Sequence, residues 1–278
     1  MASVSDTPVP QVDPRVVARY EVYDEDARLW RPGLGDLVRL RTWDILDRFL
    51  PPGGRVLDVG GGPGTHAAHL AARGGDVTLI DPVPRHVALA RTRARTGSAP
   101  FTVCLGDATG LPVPSASVDA VVLMGPIYHL VERADRLVAL AEAQRVLRPG
   151  GRMLTEVITR HAWALDATVK GLTGSPEVWA DVERSVASGL SQDPAVVLPG
   201  SFWAYFHQVD EVTGELAEAG FEDITLVAVE GFAWLLGDLE RRMAAEPEPI
   251  LAAVRLTERE PSMLGCSAHV MAIARGQS

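Results

Sequence analysis

Short apolar runs alternate with helical patterns over residues 35–158. Apolar residues spaced three or four positions apart predict an amphipathic helix over residues 35–50, which Pro51 and Pro52 end. Further helices are predicted at residues 65–73, 84–95 and 134–147, and strands at residues 55–59, 77–80, 101–105, 118–124 and 153–158. Short apolar strands that alternate with helices are typical of an α/β fold with a parallel sheet covered on both faces.

The alternation stops after residue 158 and resumes near residue 209. Residues 160–205 mix aromatic residues with scattered Gly and Pro, which predicts two or three inserted helices. A helix at residues 209–219 and strands at residues 221–229 and 268–274 follow. We therefore expect three regions, which are an N-terminal extension at residues 1–34, a main domain at residues 35–159 and 208–278, and a helical insertion at residues 160–207.

Composition narrows the class of protein. The 278 residues, 47% of them hydrophobic, suffice for one large domain or a domain with an insertion. The formal net charge of −10 would repel a long polyanion, which argues against a nucleic-acid partner. Two cysteines, Cys104 and Cys266, give no disulfide framework and fit a reducing compartment. The N-terminal residues lack a basic start, and no apolar window in the sequence reaches ~18 residues. We therefore expect a cytoplasmic protein and no membrane partner.

A glycine-rich loop follows the first predicted strand. Residues 56–71 read VLDVGGGPGTHAAHLA. Glycine loses much conformational entropy on folding, so this run indicates a ligand that lies against bare backbone. A dinucleotide fingerprint, G-x-G-x-x-G, would need a glycine where Thr65 stands, whereas the spacing here is G-x-G-x-G. A strand-to-helix turn without a ligand is the alternative.

Acidic residues stand at two further strand ends, where ligands bind in such sheets. Asp81 comes 21 positions after Gly60 and is suited to accept hydrogen bonds from two ribose hydroxyls. It would also cap the helix that follows Pro82, and the two roles are compatible. Asp107, followed by Ala108, is suited to accept a hydrogen bond from the exocyclic amine of adenine. A turn residue without a ligand is the alternative.

The sequence resembles the class I S-adenosylmethionine-dependent methyltransferases in five elements. They are the runs VLDVGGGPG, GDATGLP, SVDAVVLMGPIYHL and VLRPGG, and Asp81 between the first two runs. The resemblance is firm over residues 35–160 and looser for the closing strands. It implies a Rossmann-like, seven-stranded, mostly parallel sheet whose last strand is antiparallel. It also implies S-adenosyl-L-methionine as the cofactor and S-adenosyl-L-homocysteine as the product.

The same resemblance assigns residues to the cofactor. These are Gly60, Gly61, Gly62 and Gly64 under the methionine part, Asp58 supporting that loop, Asp81 and Pro82 at the ribose, Asp107 and Ala108 at the adenine, and Met124 and Gly125 beneath the cofactor. Arg41 lies on the helix before the first strand, where related enzymes often hold the cofactor's carboxylate. An ordinary exposed arginine is the alternative for Arg41.

Methyl transfer from a sulfonium is an in-line displacement, so the protein mainly aligns the nucleophile and sometimes removes its proton. His129, just past the fourth strand, is the candidate general base, although it could instead start a helix or pack. Tyr128 could orient the acceptor or close over the cofactor. Family members that methylate amide or nucleobase nitrogens commonly have Asn or Asp where Gly125 stands. We therefore expect a small-molecule acceptor, such as a secondary metabolite, methylated on oxygen before nitrogen or carbon.

Aromatic residues in the extension and the insertion are candidates for the acceptor site. Tyr20 and Tyr23 belong to a segment that often folds over the cofactor as a lid in this family. A helix packed on the sheet and a homodimer contact are the alternatives. Trp203 and Tyr205 would wall a pocket or pack the hinge of the insertion, and His207 is a second candidate base or a helix cap.

Two other classes of protein are weighed against this hypothesis. A regulatory or scaffold protein could keep the cofactor pocket and perform no chemistry. A nicotinamide oxidoreductase is disfavoured by Thr65 and by the GDATGLP run. No metal is expected, because His66 and His69 are not joined by a cluster of cysteines or acids.

Overall fold

The computed structural model describes residues 12–191 and 203–277. The strands in this part of the chain are β1 (Arg55–Val59), β2 (Asp76–Asp81), β3 (Thr102–Leu105), β4 (Val118–Met124), β5 (Leu147–Ile158), β6 (Leu190–Ser191), β7 (Ala204–Tyr205), β8 (Glu222–Ala228) and β9 (His269–Arg275). Seven of them form one sheet in the order β3-β2-β1-β4-β5-β9-β8, and β6 pairs with β7 separately. Strands β1 to β5 pair in parallel, and β9 runs antiparallel to both β5 and β8. The predicted Rossmann-like fold with an antiparallel last strand is confirmed.

Helices cover both faces of the sheet. They are α1 (Pro14–Val22), α2 (Glu25–Arg28), α3 (Leu34–Phe49), α4 (Thr65–Ala72), α5 (Pro84–Thr96), α6 (Pro126–His129), α7 (Arg133–Val146), α8 (Ala162–Val169), α9 (Pro176–Ser188), α10 (Val209–Glu218), α11 (Leu239–Ala245), α12 (Pro247–Thr257) and α13 (Pro261–Leu264). None of the described helices is long and apolar enough to cross a membrane.

The two faces of β4 explain its uninterrupted apolar sequence. Val121 and Leu123 pack into the apolar layer beneath α7 and α10. Ala120 and Val122 pack into the opposite layer, beneath α3, α4 and α5. Successive side chains of a strand point to opposite faces, so a strand buried on both sides must be apolar at every position that packs.

The start of β5 differs from the prediction. The strand was predicted at residues 153–158, whereas β5 already begins at Leu147 and includes the run Arg148-Pro149-Gly150-Gly151. Val118 pairs with Leu147 and Ala120 with Arg152, so the run forms a bulge inside the strand. Gly and Pro carry the same sequence signal in a turn and in a bulge, which is why the pattern did not separate them.

The insertion contains α8, α9 and the short β6–β7 pair, in agreement with the expected two or three helices. Its apolar centre includes Trp163, Val178, Val182 and Phe206. Residues 192–202 of the insertion lie outside the described residues. The division of the chain into three regions stays a prediction.

The N-terminal helices α1 and α2 are tied to α5. Nη1 of Arg85 donates to the carbonyl oxygens of Tyr20 at 3.2 Å and Tyr23 at 2.7 Å. Nη2 of Arg93 donates to both carboxylate oxygens of Asp26, at 2.7 and 2.8 Å. These contacts hold the extension against the edge of the sheet where β1 and β2 end.

A buried ion pair joins α7 to α10. Arg136 and Glu215 are 2% and 3% exposed, and the guanidinium meets the carboxylate at 2.7–3.1 Å through Nε and Nη2. Nη1 of Arg136 also donates to the carbonyls of Leu130 and Val131, directly after α6. Burial alone would raise the pKa of Glu215, but contacts with His207 and Arg136 hold it at about 2. The pair therefore positions the segment that carries His129.

We expect Arg136→Met to lower the free energy of unfolding by about 3–5 kcal/mol, because a buried carboxylate loses its partner. Denaturant unfolding measures the loss. Arg133→Met, one turn earlier on α7, is the control, since its pair with Glu218 is half exposed and such pairs contribute little to stability. Equal losses for the two variants would contradict the role given to Arg136.

Candidate active site

The loop between β1 and α4 leaves no room for a side chain at Gly60 and Gly61. Gly60, Gly62 and Gly64 have φ angles of +73°, +56° and +84°, which favour glycine. A Cβ on Gly60 would lie 2.5 Å from Cδ of Pro126, and one on Gly61 would lie 2.6 Å from a carboxylate oxygen of Asp58. The glycines therefore let the backbone itself form the wall of a pocket.

Asp58 lies beneath this loop, and its carboxylate is buried without a partner in the described parts of the chain. Its side chain is 1% exposed, and neither carboxylate oxygen has a hydrogen-bond partner within the described parts of the chain. Burial, and the charge of Asp81, raise its pKa to about 7. Leaving a carboxylate buried and unpaired is costly, so this site fits a ligand that brings a positive charge. An α-ammonium or a sulfonium meets that requirement.

Asp81 forms the next part of the wall. Its carboxylate accepts the N–H of Gly62 at 2.8 Å and the N–H of Val83 at 2.9 Å. Nδ1 of His86 lies 3.3 Å from the same carboxylate. Asp107 accepts from the backbone N–H of Thr109 at 2.7 Å and from its hydroxyl. Both aspartates are thus held in place by local donors at the ends of β2 and β3.

One pocket collects most of the residues that the resemblance assigned to the cofactor. Those lining it are Asp58, Gly60, Gly61, Gly62, Asp81, Pro82, Asp107, Ala108, Met124 and Gly125, together with Tyr20, Tyr128 and His129. We call it the cofactor pocket. Gly64 is not among the lining residues. A glycine is needed there for a different reason, because a Cβ on Gly64 would lie 3.0 Å from the ring of Phe101.

Arg41 lies away from this pocket, and the prediction that it holds the cofactor's carboxylate is not tested. The side chain is 1% exposed, and Nη2 donates to Glu258 at 2.6 Å. It also donates to Asp44 and to the carbonyls of Ala228 and Val229. All its donor groups are therefore engaged in tying α3 to the end of β8 and to α12.

Tyr20 and His129 form a hydrogen-bonded pair at the pocket. The Tyr20 hydroxyl lies 3.0 Å from Nε2 of His129, and Nδ1 lies 3.2 Å from the carbonyl oxygen of Trp203. A carbonyl only accepts, so Nδ1 carries the proton and Nε2 accepts from Tyr20. Burial lowers the pKa of His129 to about 4, so the ring is neutral at physiological pH.

A second cavity of about 400 Å³ adjoins the first. Both are lined by Tyr20, Tyr128, Glu25, Arg28 and Val38. Six aromatic residues line the second cavity, which we call the acceptor chamber; they are Tyr20, Tyr23, Tyr128, Trp163, Phe206 and Trp234. The expectation that Tyr20 and Tyr23 face a ligand cavity agrees with this placement, while their role is not tested.

Tyr205 and His207 lie outside both cavities. Their rings contact each other at 4.8 Å, and the Tyr205 hydroxyl donates to Glu211. His207 is fully buried, 3.5 Å from Glu215, and burial lowers its pKa. Phe206, between them, lines the acceptor chamber instead. Alternate residues of an extended segment point to opposite sides, so Tyr205 and His207 point away from the chamber that Phe206 lines, and their predicted role at the acceptor is not tested.

Trp203 is placed against α1 rather than in either cavity. The guanidinium of Arg15 lies 3.9 Å from its ring centroid, and its carbonyl meets His129. The Trp203 ring therefore lies outside the cavity where the acceptor contact was predicted. Its backbone carbonyl instead binds Nδ1 of His129 and fixes the tautomer of that ring. Its indole therefore packs against α1, while its carbonyl acts on the pocket.

Several lining residues were missed by sequence reasoning. Arg28, which pairs with Glu25 at 2.7 Å, contacts both cavities. Glu156, opposite Met124 in the sheet, is buried at the cofactor pocket, and burial raises its pKa. Glu156 could have been found, since it is an isolated acid near the end of an apolar strand. Arg28 gave no signal, because charged residues are common in an exposed-looking segment.

The described residues contain no group of three or more His, Cys, Asp or Glu side chains suited to a metal ion.

Comparisons with known proteins agree with this geometry. A family model described as "Methyltransferase domain" matches residues 56–151. A demethylmenaquinone methyltransferase of Beutenbergia cavernae is 31% identical over 184 residues, covering 62% of this chain and 72% of that protein. An uncharacterized methyltransferase of Mycobacterium tuberculosis is 40% identical over 112 residues, but the match covers 40% of this chain and only 42% of that protein.

Solved structures share the fold. Phosphoethanolamine N-methyltransferase 2 of Haemonchus contortus, solved with S-adenosyl-L-methionine, aligns with a TM-score of 0.61 at 20% identity. The alignment covers 96% of this chain and 60% of that one. The chain therefore belongs to the class I S-adenosylmethionine-dependent methyltransferases. The predicted family and its cofactor, S-adenosyl-L-methionine, are confirmed.

We expect Gly61→Ala to weaken the binding of S-adenosylhomocysteine by about tenfold or more, because the new Cβ would meet Asp58 and Leu79 at 2.6 Å. Calorimetric titration measures the change. Gly110→Ala is the control, since nothing lies within 4 Å of its added Cβ. An unchanged affinity for Gly61→Ala would show that the loop moves aside at no cost.

Proposed function

We propose that this protein transfers the methyl group of S-adenosylmethionine to a small aromatic molecule bound in the acceptor chamber. The observation that carries the proposal is the wall shared by the two cavities, which contains Tyr20 and Tyr128. A cofactor in one cavity and an acceptor in the other would be aligned by this wall, which is the main contribution a protein makes to a displacement. The predicted acceptor class, a small molecule, fits a chamber of about 400 Å³.

The residues of the cofactor pocket fit S-adenosylmethionine. When bound, the cofactor supplies a methyl group on an electrophilic sulfonium. The unpaired Asp58 carboxylate suits the positive charge of this molecule, and Asp81 and Asp107 offer acceptors to ribose and adenine. Arg28, rather than Arg41, is the guanidinium near enough to serve a carboxylate, because it lines this pocket.

Tyr20 and His129 are proposed to handle the acceptor's proton. Tyr20 lines both cavities, and its hydroxyl donates to the neutral His129. A proton from the acceptor can pass to the Tyr20 oxygen while the tyrosine proton passes to Nε2 of His129. Because burial holds the pKa of His129 at about 4, this ring is a weak base and suits an acceptor that is already acidic. Tyr128 is proposed to orient the acceptor.

An aromatic acceptor follows from the six aromatic side chains of the chamber. The name of the Beutenbergia cavernae relative, demethylmenaquinone methyltransferase, also refers to an aromatic ring system. Oxygen stays our first choice of acceptor atom, ahead of carbon and nitrogen. Gly125 offers no side chain to grip a planar amine, which disfavours nitrogen.

The proposal is tested by titrating S-adenosylmethionine and S-adenosylhomocysteine into the purified protein and into Asp81→Ala. A panel of hydroxylated aromatics is then screened with methyl-labelled cofactor. We expect micromolar binding, lost in the variant, and labelled methyl in at least one hydroxylated product. Binding without transfer to any member of the panel would instead favour a regulatory protein that only binds the cofactor.

We expect Tyr20→Phe to lower turnover by roughly 10- to 100-fold, because the variant cannot relay a proton to His129. Affinity for S-adenosylhomocysteine should change little. Tyr205→Phe is the matched control, since it removes a hydroxyl from a tyrosine outside both cavities. Steady-state kinetics with the best acceptor compares the two, and an active Tyr20→Phe would remove the relay from the mechanism.

A further inference from the structure

A second titratable pair lies in the wall of the acceptor chamber and takes no part in the relay described above. His269 begins β9 and Glu230 follows the end of β8, so both stand at the edge of the sheet that carries the site. Both residues line the acceptor chamber. The pair was not found from the sequence, because its members are 39 positions apart.

Hydrogen bonds hold Glu230 and His269 in one arrangement. Glu230 is 1% exposed, and its Oε1 lies 2.5 Å from Nδ1 of His269. Its Oε2 accepts the backbone N–H of His269 at 2.9 Å and lies 3.0 Å from the hydroxyl of Ser267. The N–H of Gly231 donates to that hydroxyl at 3.0 Å. The carboxylate is therefore fixed, and it orients the imidazole.

The other ring nitrogen of His269 is left for a ligand. Nδ1 donates to Glu230, and no side chain or carbonyl of residues 12–191 or 203–277 meets Nε2. The side chain is 20% exposed and lines the chamber. Nε2 therefore presents a hydrogen-bond donor to whatever occupies this space.

The charges around His269 keep it protonated. Burial alone would lower its pKa, but Glu230, followed by Glu156 on β5, raises it to about 9 against a smaller opposing effect of Arg28 on α2. The imidazolium is consequently the main form at neutral pH. His129 is the opposite case: burial lowers its pKa to about 4, and it stays neutral.

The chamber as a whole carries an excess of cations. Its carboxylates are Glu25, Asp166 and Glu230, and each has its own partner, which is Arg28, Lys170 or His269. Arg19 and Arg31 also line the chamber. In a chain with a net charge of −10, this local excess favours an acceptor that brings negative charge.

We propose that His269, fixed by Glu230, donates its Nε2–H to an anionic oxygen on the aromatic acceptor and so selects a phenolate or an aryl carboxylate over its neutral analogue. The inference rests on the proposed function, because it takes the chamber to be the acceptor site. The anionic oxygen that His269 contacts is distinct from the hydroxyl whose proton the Tyr20–His129 relay takes, so the two roles are compatible. His269 is therefore a specificity-determining residue.

The test uses 4-nitrophenol, whose phenolate is yellow, added to protein saturated with S-adenosylhomocysteine. Absorbance against pH gives the pKa of the bound probe. We expect this pKa to fall by about one unit relative to free probe, a tenfold preference for the phenolate. His269→Gln should abolish the shift, while His161→Gln, a histidine exposed at the surface, should retain it.

A second arm separates the two kinds of anion. Benzoate and the neutral benzamide compete with 4-nitrophenol, and we expect an aryl carboxylate to displace it at least tenfold better than the amide if the chamber takes carboxylates. Weak competition by both, with the phenolate shift intact, assigns the site to phenolates. Preferential displacement by benzoate and an isolated phenolate shift each support selection by His269, provided that His269→Gln abolishes the preference observed.

Other outcomes overturn the inference in distinguishable ways. If His269→Gln binds S-adenosylhomocysteine normally and keeps the full phenolate shift, the donor role fails while the proposed function stands. The same holds if benzamide competes as well as benzoate and the phenolate shift is absent. If the cofactor product binds but none of the three aromatic probes does, the acceptor chamber itself is wrong, and the proposed function fails with the inference. Glu230→Gln adds a check, since the phenolate preference should then fade at a lower pH than in the parent protein.

Discussion

The parallel register of the central strands is the constraint on which the site depends. Asp58 of β1 pairs with Leu79 of β2 and with Val122 of β4, so these three strands end at one level. Met124 faces Glu156, and Ile158 faces His269, which extends the same edge across β5 to β9. Groups far apart in the chain thereby meet at one edge, and any slip in register would move them to the opposite face.

The sequence was most informative where the chemistry is local. The strands, the glycine loop and Asp81 follow from runs of neighbouring residues, and Gly60 and Gly61 of the loop leave no room for a side chain. Contacts between distant residues were not accessible in this way. Arg41 is held by Glu258, 217 positions away, and Tyr20 meets His129 across 109 positions. The different directions of Tyr205 and Phe206 depend on where a short strand begins, which periodicity does not fix to one residue.

Two histidines of the site show how environment decides charge. His129 has a backbone carbonyl and a tyrosine hydroxyl as partners, and burial leaves it neutral. His269 has the Glu230 carboxylate 2.5 Å from Nδ1, and the negative charge of that partner keeps the ring charged. One residue type thus supplies a neutral hydrogen-bond acceptor on one wall and a fixed cation on another.

The anchoring of α1 has a kinetic consequence. This nine-residue helix is held through carbonyl oxygens that Arg85 binds, and its Tyr20 lines both cavities. Under the proposed function, cofactor and acceptor would both lie against this helix, so a movement of α1 would act on both cavities at once. Release of the two products would then be linked, and helix movement rather than chemistry would limit the rate of repeated turnovers.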